Sequence, residues 1–227
     1  MHPSALPEHI IKRVVARRGR LNVFTSIVSK RTALVVVDMQ NTFCAPGGVI
    51  EVPVARDIVP NINRLAAAVR EFGGLVAWVQ MTIKDEADWP VFLTDVVPKD
   101  VSNRVLAGLQ AGSEGHKLWK EMLPDQRDLI VFKKRFSAFL PTASDLTIIL
   151  KSRGIDTVIV VGTLTNVCCE ASARDAAMQD FKTIIVSDGN AGLSDDEHMA
   201  TLVTFIQSFG DVRPTEELIE MLRLGQS

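Results

Sequence analysis

A chain of 227 residues that is 47% hydrophobic and 23% charged is long enough to bury a core of its own. Its net charge of −2 lacks the strongly basic character that nucleic acids or anionic membranes attract, so we expect neither as a partner. Three cysteines, two of them adjacent, are too few for a disulfide framework, which favours a reducing, cytoplasmic location. No apolar run reaches the roughly 18 residues of a membrane-spanning helix.

Residues 1–30 precede the first predicted strand as a basic N-terminal arm or helix. A helical pattern begins near Pro7 and ends before Gly19. We expect this segment to be solvated or to contact a second subunit. A nucleic-acid-binding arm is the alternative, although no aromatic residues interleave the charges as they do in most single-strand binders. Residues 31–227 show no repeat or linker and predict a single domain.

Apolar strands alternate with amphipathic helices throughout that domain. The predicted strands are 32–38, 75–81, 128–133, 158–161, 182–187 and a short sixth at 210–213. The predicted helices are 54–72, 144–152, 165–174, 197–209 and a closing helix that begins at Pro214. Alternation of this kind predicts an α/β fold with parallel strand pairing and right-handed crossovers. Residues 82–113 are irregular and predict a substrate-side excursion with short helical pieces, while 117–123 predicts one or two helical turns.

The segment 156–175 combines a buried strand with a helix that begins at Thr165 or Asn166, both of which are good N-cap residues. Cys168 is therefore predicted in the first turn of a helix at the carboxyl end of a strand, where open α/β sheets bind ligands. The helix N-terminus favours a thiolate. Cys168 is thus a candidate nucleophile, with a buried structural thiol as the alternative.

Polar residues end two further strands, Asp38 after the first and Lys133 after the third. Because the carboxyl ends of parallel strands share one edge, both are expected near Cys168 if the strands are neighbours. Asp38 can accept the thiol proton and Lys133 can stabilise the thiolate, which would activate the nucleophile without a histidine. Strand alternation allows only one of Lys133 and Lys134 to face the site. Asp38 as a simple loop cap is the alternative.

Four segments in a fixed order extend this pattern: VVVDMQNTF (35–43), KKRFSAF (133–139), GTLTNVCCEASARDA (162–176) and IIVSDGNAG (184–192). In this combination the sequence resembles the isochorismatase-like cysteine hydrolases. The resemblance implies a Rossmann-like, three-layer α/β/α fold with a six-stranded, mostly parallel sheet. It also implies a Cys–Asp–Lys catalytic triad of Cys168, Asp38 and Lys133, and a homodimer or homotetramer.

The same resemblance implies a cis peptide between Thr163 and Leu164 and an oxyanion hole formed by the backbone N–H groups of Leu164 and Cys168. Candidate substrate-binding residues are Phe43, Gln80, Trp89, Arg135, Phe136 and Thr165. Core packing is the alternative for the aromatic residues, and contacts within loops are the alternative for Gln80 and Arg135.

The segment QMTIKDEADWPVF (80–92) departs from the metal-dependent nicotinamidases of this family, which carry a histidine cluster here. We therefore expect no metal and no other cofactor. The cysteine at position 168 is usually missing from vinyl-ether-cleaving isochorismatases, so it favours hydrolysis of the C–N bond of a small amide, ureide or carbamoyl compound. A thioester-type intermediate and release of ammonia are implied. The alternatives are a vinyl-ether hydrolase that uses Asp38, and a catalytically silent scaffold of this fold.

Overall fold

The computed structural model describes residues 1–226 and places six parallel strands in one sheet. They are β1 Thr32–Val37, β2 Leu75–Met81, β3 Leu129–Lys133, β4 Thr157–Thr163, β5 Lys182–Ala191 and β6 Asp211–Arg213. Their order across the sheet is β3-β2-β1-β4-β5-β6, and every neighbouring pair is parallel. This confirms the predicted α/β fold, with a sheet that is entirely rather than mostly parallel.

Burial along the strands follows from their places in the sheet. β1 and β4 lie at its centre and are buried at every position, as expected for near-continuous apolar runs covered on both faces. β3 lies at one edge, where Val131 and Lys133 are buried but Ile130 and Phe132 are exposed. The alternation of β3 therefore points the Lys133 side chain into the protein.

Eight α-helices connect or flank the strands in the described residues. They are α1 Glu8–Arg18, α2 Asn41–Cys44, α3 Val59–Glu71, α4 Lys99–Leu109, α5 Leu146–Ser152, α6 Glu170–Met178, α7 Asp195–Ser208 and α8 Thr215–Leu224. α3 packs against α8 and the sheet, while α6 and α7 contact each other as well as the sheet. None of these helices in residues 1–226 is long and apolar enough to cross a membrane.

Residues 1–30 lie against the domain. Ile10 and Val14 of α1 are buried, and α1 contacts α7. Farther along, the backbone N–H groups of Val23 and Phe24 donate to the buried carboxylate of Asp211 at 2.8 and 3.0 Å. The N-terminal segment is therefore fixed to the sheet through apolar packing and through a carboxylate at its far edge.

Two local predictions are wrong. Residues 117–123 form no helix, because their backbone pairs instead with the loop after β1: Leu118 forms an antiparallel bridge with Gln40. After β4, a single π-helical turn, Thr165–Cys169, precedes α6, and neither Thr165 nor Asn166 caps it. The N-cap position belongs to Leu164, whose side chain has no capping atom.

Candidate active site

Asp38 follows β1 and is completely buried between the ends of β2 and β4. Its backbone has a φ of 52°, in the left-handed region that Asp tolerates better than most residues. Its N–H donates to the Val79 carbonyl at 2.9 Å, and its Oδ1 accepts from the Met81 N–H at 3.0 Å. The carboxylate is thus held at the carboxyl edge of the sheet by the neighbouring strand.

Lys133 ends β3 and pairs in register with Met81 of β2. Its Nζ lies 2.8 Å from Oδ2 of Asp38, and both side chains are 0% exposed. Nζ also donates to the Arg135 carbonyl at 3.1 Å. Despite the ion pair, Oδ2 of Asp38 accepts no well-directed hydrogen bond from residues 1–226, which leaves this oxygen available to a proton donor.

Cys168 lies in the π-helical turn after β4 and is 2% exposed. Burial is the largest influence on the thiol and raises its pKa, the charge of Asp38 raises it further, and Lys133 opposes both. Burial alone would lower the pKa of Lys133, but the negative charge of Asp38 outweighs it and raises that pKa. The resting site therefore holds a neutral thiol beside a charged ion pair, and the expected stabilisation of a free thiolate by the helix N-terminus is outweighed by burial.

The peptide bond between Thr163 and Leu164 is cis. The Leu164 carbonyl accepts from the N–H groups of Val167 and Cys169 at 3.2 and 3.1 Å. The Leu164 N–H, by contrast, donates to no protein group within residues 1–226. The N–H of Leu164 is thus an uncommitted backbone donor at the start of the turn that carries Cys168, as an oxyanion hole requires.

A cavity of about 190 Å³ opens onto the thiol of Cys168. Its other lining residues are all apolar: Phe43, Ile50, Met81, Ile83, Trp89, Phe92, Val105, Leu109, Phe136, Leu164 and Val167. Three of the rings contact one another, with centroids 4.4 Å apart for Trp89 and Phe92 and 4.7 Å apart for Trp89 and Phe136. The thiol is thus the one reactive group on an otherwise apolar wall.

Residues 32–217 match the family model described as the isochorismatase domain. The chain belongs to the isochorismatase family. It is 32% identical over 180 residues to the ureidoacrylate amidohydrolase RutB of Klebsiella pneumoniae, covering 72% of this chain and 74% of that protein.

Solved isochorismatase-family structures share the fold. A cysteine hydrolase from Pseudomonas syringae superposes with a TM-score of 0.80 at 31% identity and covers 90% of this chain and 98% of its own. The N-carbamoylsarcosine amidase of Thermoplasma acidophilum superposes with a TM-score of 0.67 at 26% identity, over 82% of this chain and 97% of its own.

Three of the six substrate-binding candidates line the cavity of this family member, namely Phe43, Trp89 and Phe136. The other three do not. Gln80 donates to the His116 carbonyl at 2.6 Å, and the hydroxyl of Thr165 bonds to Nδ1 of His198. Both side chains are buried, and the amide nitrogen of Gln80 and the hydroxyl of Thr165 already have partners within the protein.

Arg135, the third candidate outside the cavity, contacts the lining residue Trp89. Its guanidinium donates to the carbonyls of Asp88 and Lys134 at 2.6 and 2.7 Å and lies 5.1 Å from the Trp89 ring centroid. Lys134 is exposed and pairs with Asp88 at 3.2 Å, so of the two adjacent lysines only Lys133 reaches the site.

Gln40 is a positioning residue that sequence reasoning missed. Its side-chain oxygen accepts from the Met81 N–H at 2.8 Å, and its amide nitrogen donates to the Met81 and His116 carbonyls. The same Met81 N–H also holds Asp38. The sequence did offer one indication of this role, because Gln40 lies two residues after Asp38 within the segment VVVDMQNTF.

The described residues contain no group of three or more His, Cys, Asp or Glu side chains that could hold a metal ion.

The cavity wall also includes apolar residues that the sequence did not identify as candidates: Ile50, Ile83, Val105, Leu109 and Val167. Nothing in their type or spacing separates them from ordinary core residues.

Proposed function

We propose that this isochorismatase-family enzyme hydrolyses the C–N bond of a small amide, ureide or carbamoyl compound, with Cys168 as its nucleophile. The observation that carries the proposal is the buried Asp38–Lys133 pair beside the Cys168 thiol at the cavity wall. The two relatives named for their activity are an amidohydrolase and an amidase, which supports the same bond type.

In the first half of the reaction, Oδ2 of Asp38 takes the proton of the Cys168 thiol as Sγ attacks the substrate carbonyl carbon. The proton transfer accompanies the attack, since the pKa of the buried thiol is raised. Negative charge that develops on the carbonyl oxygen is stabilised by the N–H groups of Leu164 and Cys168. The Lys133 ammonium compensates the charge that moves between carboxylate and sulfur.

In the second half, the C–N bond breaks and protonated Asp38 gives its proton to the leaving nitrogen. A primary amide releases ammonia and leaves a thioester, whereas a ureide that loses its terminal nitrogen leaves a thiocarbamate. Asp38, again a carboxylate, deprotonates the water that attacks this intermediate. Collapse returns the proton to Sγ and releases the acid product, so that protons balance over the cycle.

The test is ammonia release, without added metal, from a panel of C–N compounds: ureidoacrylate, N-carbamoylsarcosine, biuret, triuret, nicotinamide, and uncharged alkyl and aryl amides. Wild type, Cys168→Ala and Asp38→Asn are compared, with circular dichroism to confirm folding. We expect turnover of at least one compound by wild type and its loss in both variants. Turnover that persists in Cys168→Ala contradicts the proposed nucleophile.

Vinyl-ether cleavage and a silent scaffold are separated from this proposal by two further measurements. Isochorismate cleavage by Cys168→Ala would favour the vinyl-ether reaction, since that reaction does not use the thiol. Alkylation tests the scaffold: Cys44 and Cys169 are fully buried and line no part of the cavity, whereas Cys168 borders it. We expect Cys168 to be alkylated first, and equal labelling of all three favours the scaffold.

A further inference from the structure

The cavity at Cys168 offers a substrate no charged partner. Apart from the thiol, its wall consists of alkyl chains, the Met81 thioether and the rings of Phe43, Trp89, Phe92 and Phe136. No lining residue carries a charge or a hydroxyl group, and the only side-chain N–H among them belongs to the Trp89 indole. The polar demands of a substrate can therefore be met only at its reacting amide, next to Cys168.

Three cations that adjoin the cavity lining, Lys133, Arg135 and Arg174, are already engaged by protein groups. The ammonium of Lys133 is 0% exposed and is held by the Asp38 carboxylate at 2.8 Å and by the Arg135 carbonyl. The guanidinium of Arg135 is bonded to two backbone carbonyls and stacks on Trp89. Arg174, in a separate groove beside Phe136 and Val167, is paired with Glu170.

A carboxylate placed on this wall would lose its water without gaining a counter-charge. Burial of an unpaired carboxylate is among the most unfavourable changes a binding site can impose. Lys133 cannot relieve it without abandoning Asp38, which would leave the catalytic carboxylate unpaired instead. The cavity therefore discriminates against anionic substrate tails by their charge, whatever their shape.

The size of the cavity limits the tail as well. Its volume of about 190 Å³ exceeds the roughly 150 Å³ of an apolar protein cavity that accommodates benzene. A branched alkyl group or a single aromatic ring fills such a space. Contacts with the three mutually packed rings of Trp89, Phe92 and Phe136 would favour a planar or compact apolar group.

We propose that the natural substrate is an uncharged amide or ureide whose tail is a compact alkyl or aryl group, and that carboxylate-bearing substrates are excluded. The inference rests on the proposed function for the choice of reacting bond, and it goes beyond that function by assigning the tail. It also separates this enzyme from relatives whose names denote the ureido acids ureidoacrylate and N-carbamoylsarcosine.

Turnover of paired compounds that have the same shape, one neutral and one anionic, tests the assignment of an uncharged tail. 4-Methylpentanamide and succinamate have the same shape but differ in charge, as do isopentylurea and N-carbamoyl-β-alanine. We expect kcat/KM for the neutral member of a pair to exceed that of the anionic member by at least about 100-fold. Equal or faster turnover of the anionic members would overturn the inference while leaving cysteine-dependent hydrolysis supported.

A second measurement does not require turnover. Iodoacetamide is neutral and iodoacetate is anionic, but the two reagents have the same shape. The rate at which each alkylates Cys168 is divided by its rate with free N-acetylcysteine, which corrects for the intrinsic reactivity of the reagent. We expect the neutral reagent to be favoured at least about 10-fold after this correction. A corrected ratio near one would overturn the inference. If the protein hydrolyses none of the tested compounds, the proposed function is contradicted. A preference of Cys168 for the neutral reagent would still support the charge selectivity of the cavity.

A charge introduced on the wall provides the matched variant. Ile50 lines the cavity but is only half-buried, so that a lysine there can keep its ammonium at the mouth. We expect Ile50→Lys to reduce the ratio of the neutral to the anionic rate at least about 10-fold, both for the substrate pairs and for the two alkylating reagents. Ile50→Gln is polar but uncharged and should leave both ratios nearly unchanged. An unchanged preference in a folded Ile50→Lys variant would contradict exclusion by charge.

Discussion

The imidazole ring of His2 stacks on that of His198, with centroids 4.8 Å apart and planes 23° apart. Both rings are buried. Nδ1 of His198 lies 2.9 Å from the hydroxyl of Thr165, the first residue of the turn that carries Cys168. The N-terminal segment, predicted as a solvated or subunit-contacting arm, is thus in contact with a residue that supports the turn carrying Cys168.

The hydrogen bonds of His198 fit one tautomer of the neutral ring, and the burial of this ring predicts a pH dependence of stability. Nε2 faces the Ser187 carbonyl at 3.1 Å and must donate to it, so Nδ1 accepts from Thr165. Burial and repulsion from His2 lower the pKa of His198 to about 4, although the Ser187 carbonyl and Asp195 oppose this. The unfolded ring titrates near 6.5. Between these values the unfolded chain binds more protons, so stability is lost as pH falls from about 6.5 toward 4.

The expected loss attributable to His198 is about 3 kcal/mol over that window. Urea unfolding at pH 7 and at pH 4 measures it, with His198→Gln as the control, because glutamine keeps a donor and an acceptor but does not titrate. The difference in unfolding free energy between the two pH values should shrink by about this amount in the variant. The same pH dependence in both proteins would show that His198 is not the titrating group.

The hydroxyl of Thr165 supports a second prediction. In Thr165→Val the shape is kept, but Nδ1 of His198 remains buried without its donor, which should lower the free energy of unfolding by about 1–3 kcal/mol. Thr165→Ser keeps the hydroxyl and should lose less. Thermal and urea unfolding of the two variants measure the difference, and an equal effect of both substitutions would mean that the lost methyl packing matters rather than the hydrogen bond.

The three residues at the strand ends could be predicted because sequence position determines their place. Asp38, Lys133 and Cys168 each follow a parallel strand, and parallel strands share a carboxyl edge. Alternation along β3 allows only one of Lys133 and Lys134 to face the site, and the choice of Lys133 rests on its match to the KKRFSAF motif. Placing the three residues at one edge needs only the direction of the strands, which apolar patterns encode locally, whereas the choice between the two lysines needs the resemblance.

The cavity wall and the state of the thiol could not be predicted in this way. Ile83, Val105 and Leu109 come together only because α4 folds back over the end of β2, a tertiary arrangement with no local signal. Thr165 has the chemistry of an N-cap but bonds to His198, which is 33 residues away in the chain. Burial also outweighs the helix N-terminus at Cys168, because the depth of a residue depends on the whole fold.

The ion pair between Asp38 and Lys133 predicts a strong coupling in stability. With both side chains fully buried, removal of either partner leaves an uncompensated charge, so Lys133→Met and Asp38→Asn should each lower the free energy of unfolding by about 3–5 kcal/mol. The double variant removes both charges and should be more stable than either single variant. Urea unfolding of the four proteins gives the coupling energy. Additive losses would show that the pair is not coupled, and all three variants should lack hydrolase activity.

Gly162 is the position in β4 at which a side chain should be least tolerated. Its φ is 120°, and a Cβ would overlap the backbone carbonyl oxygen of Val37 in the neighbouring strand. We expect Gly162→Ala to lower the free energy of unfolding by at least about 2 kcal/mol, since backbone strain and a backbone clash act together. Gly19, at the end of α1, has a φ of 78°, and a methyl group there would meet no atom within 4 Å, so Gly19→Ala isolates the strain. Urea unfolding should show a clearly smaller loss for Gly19→Ala. Equal losses would mean that the close approach of β1 and β4 does not depend on the missing side chain.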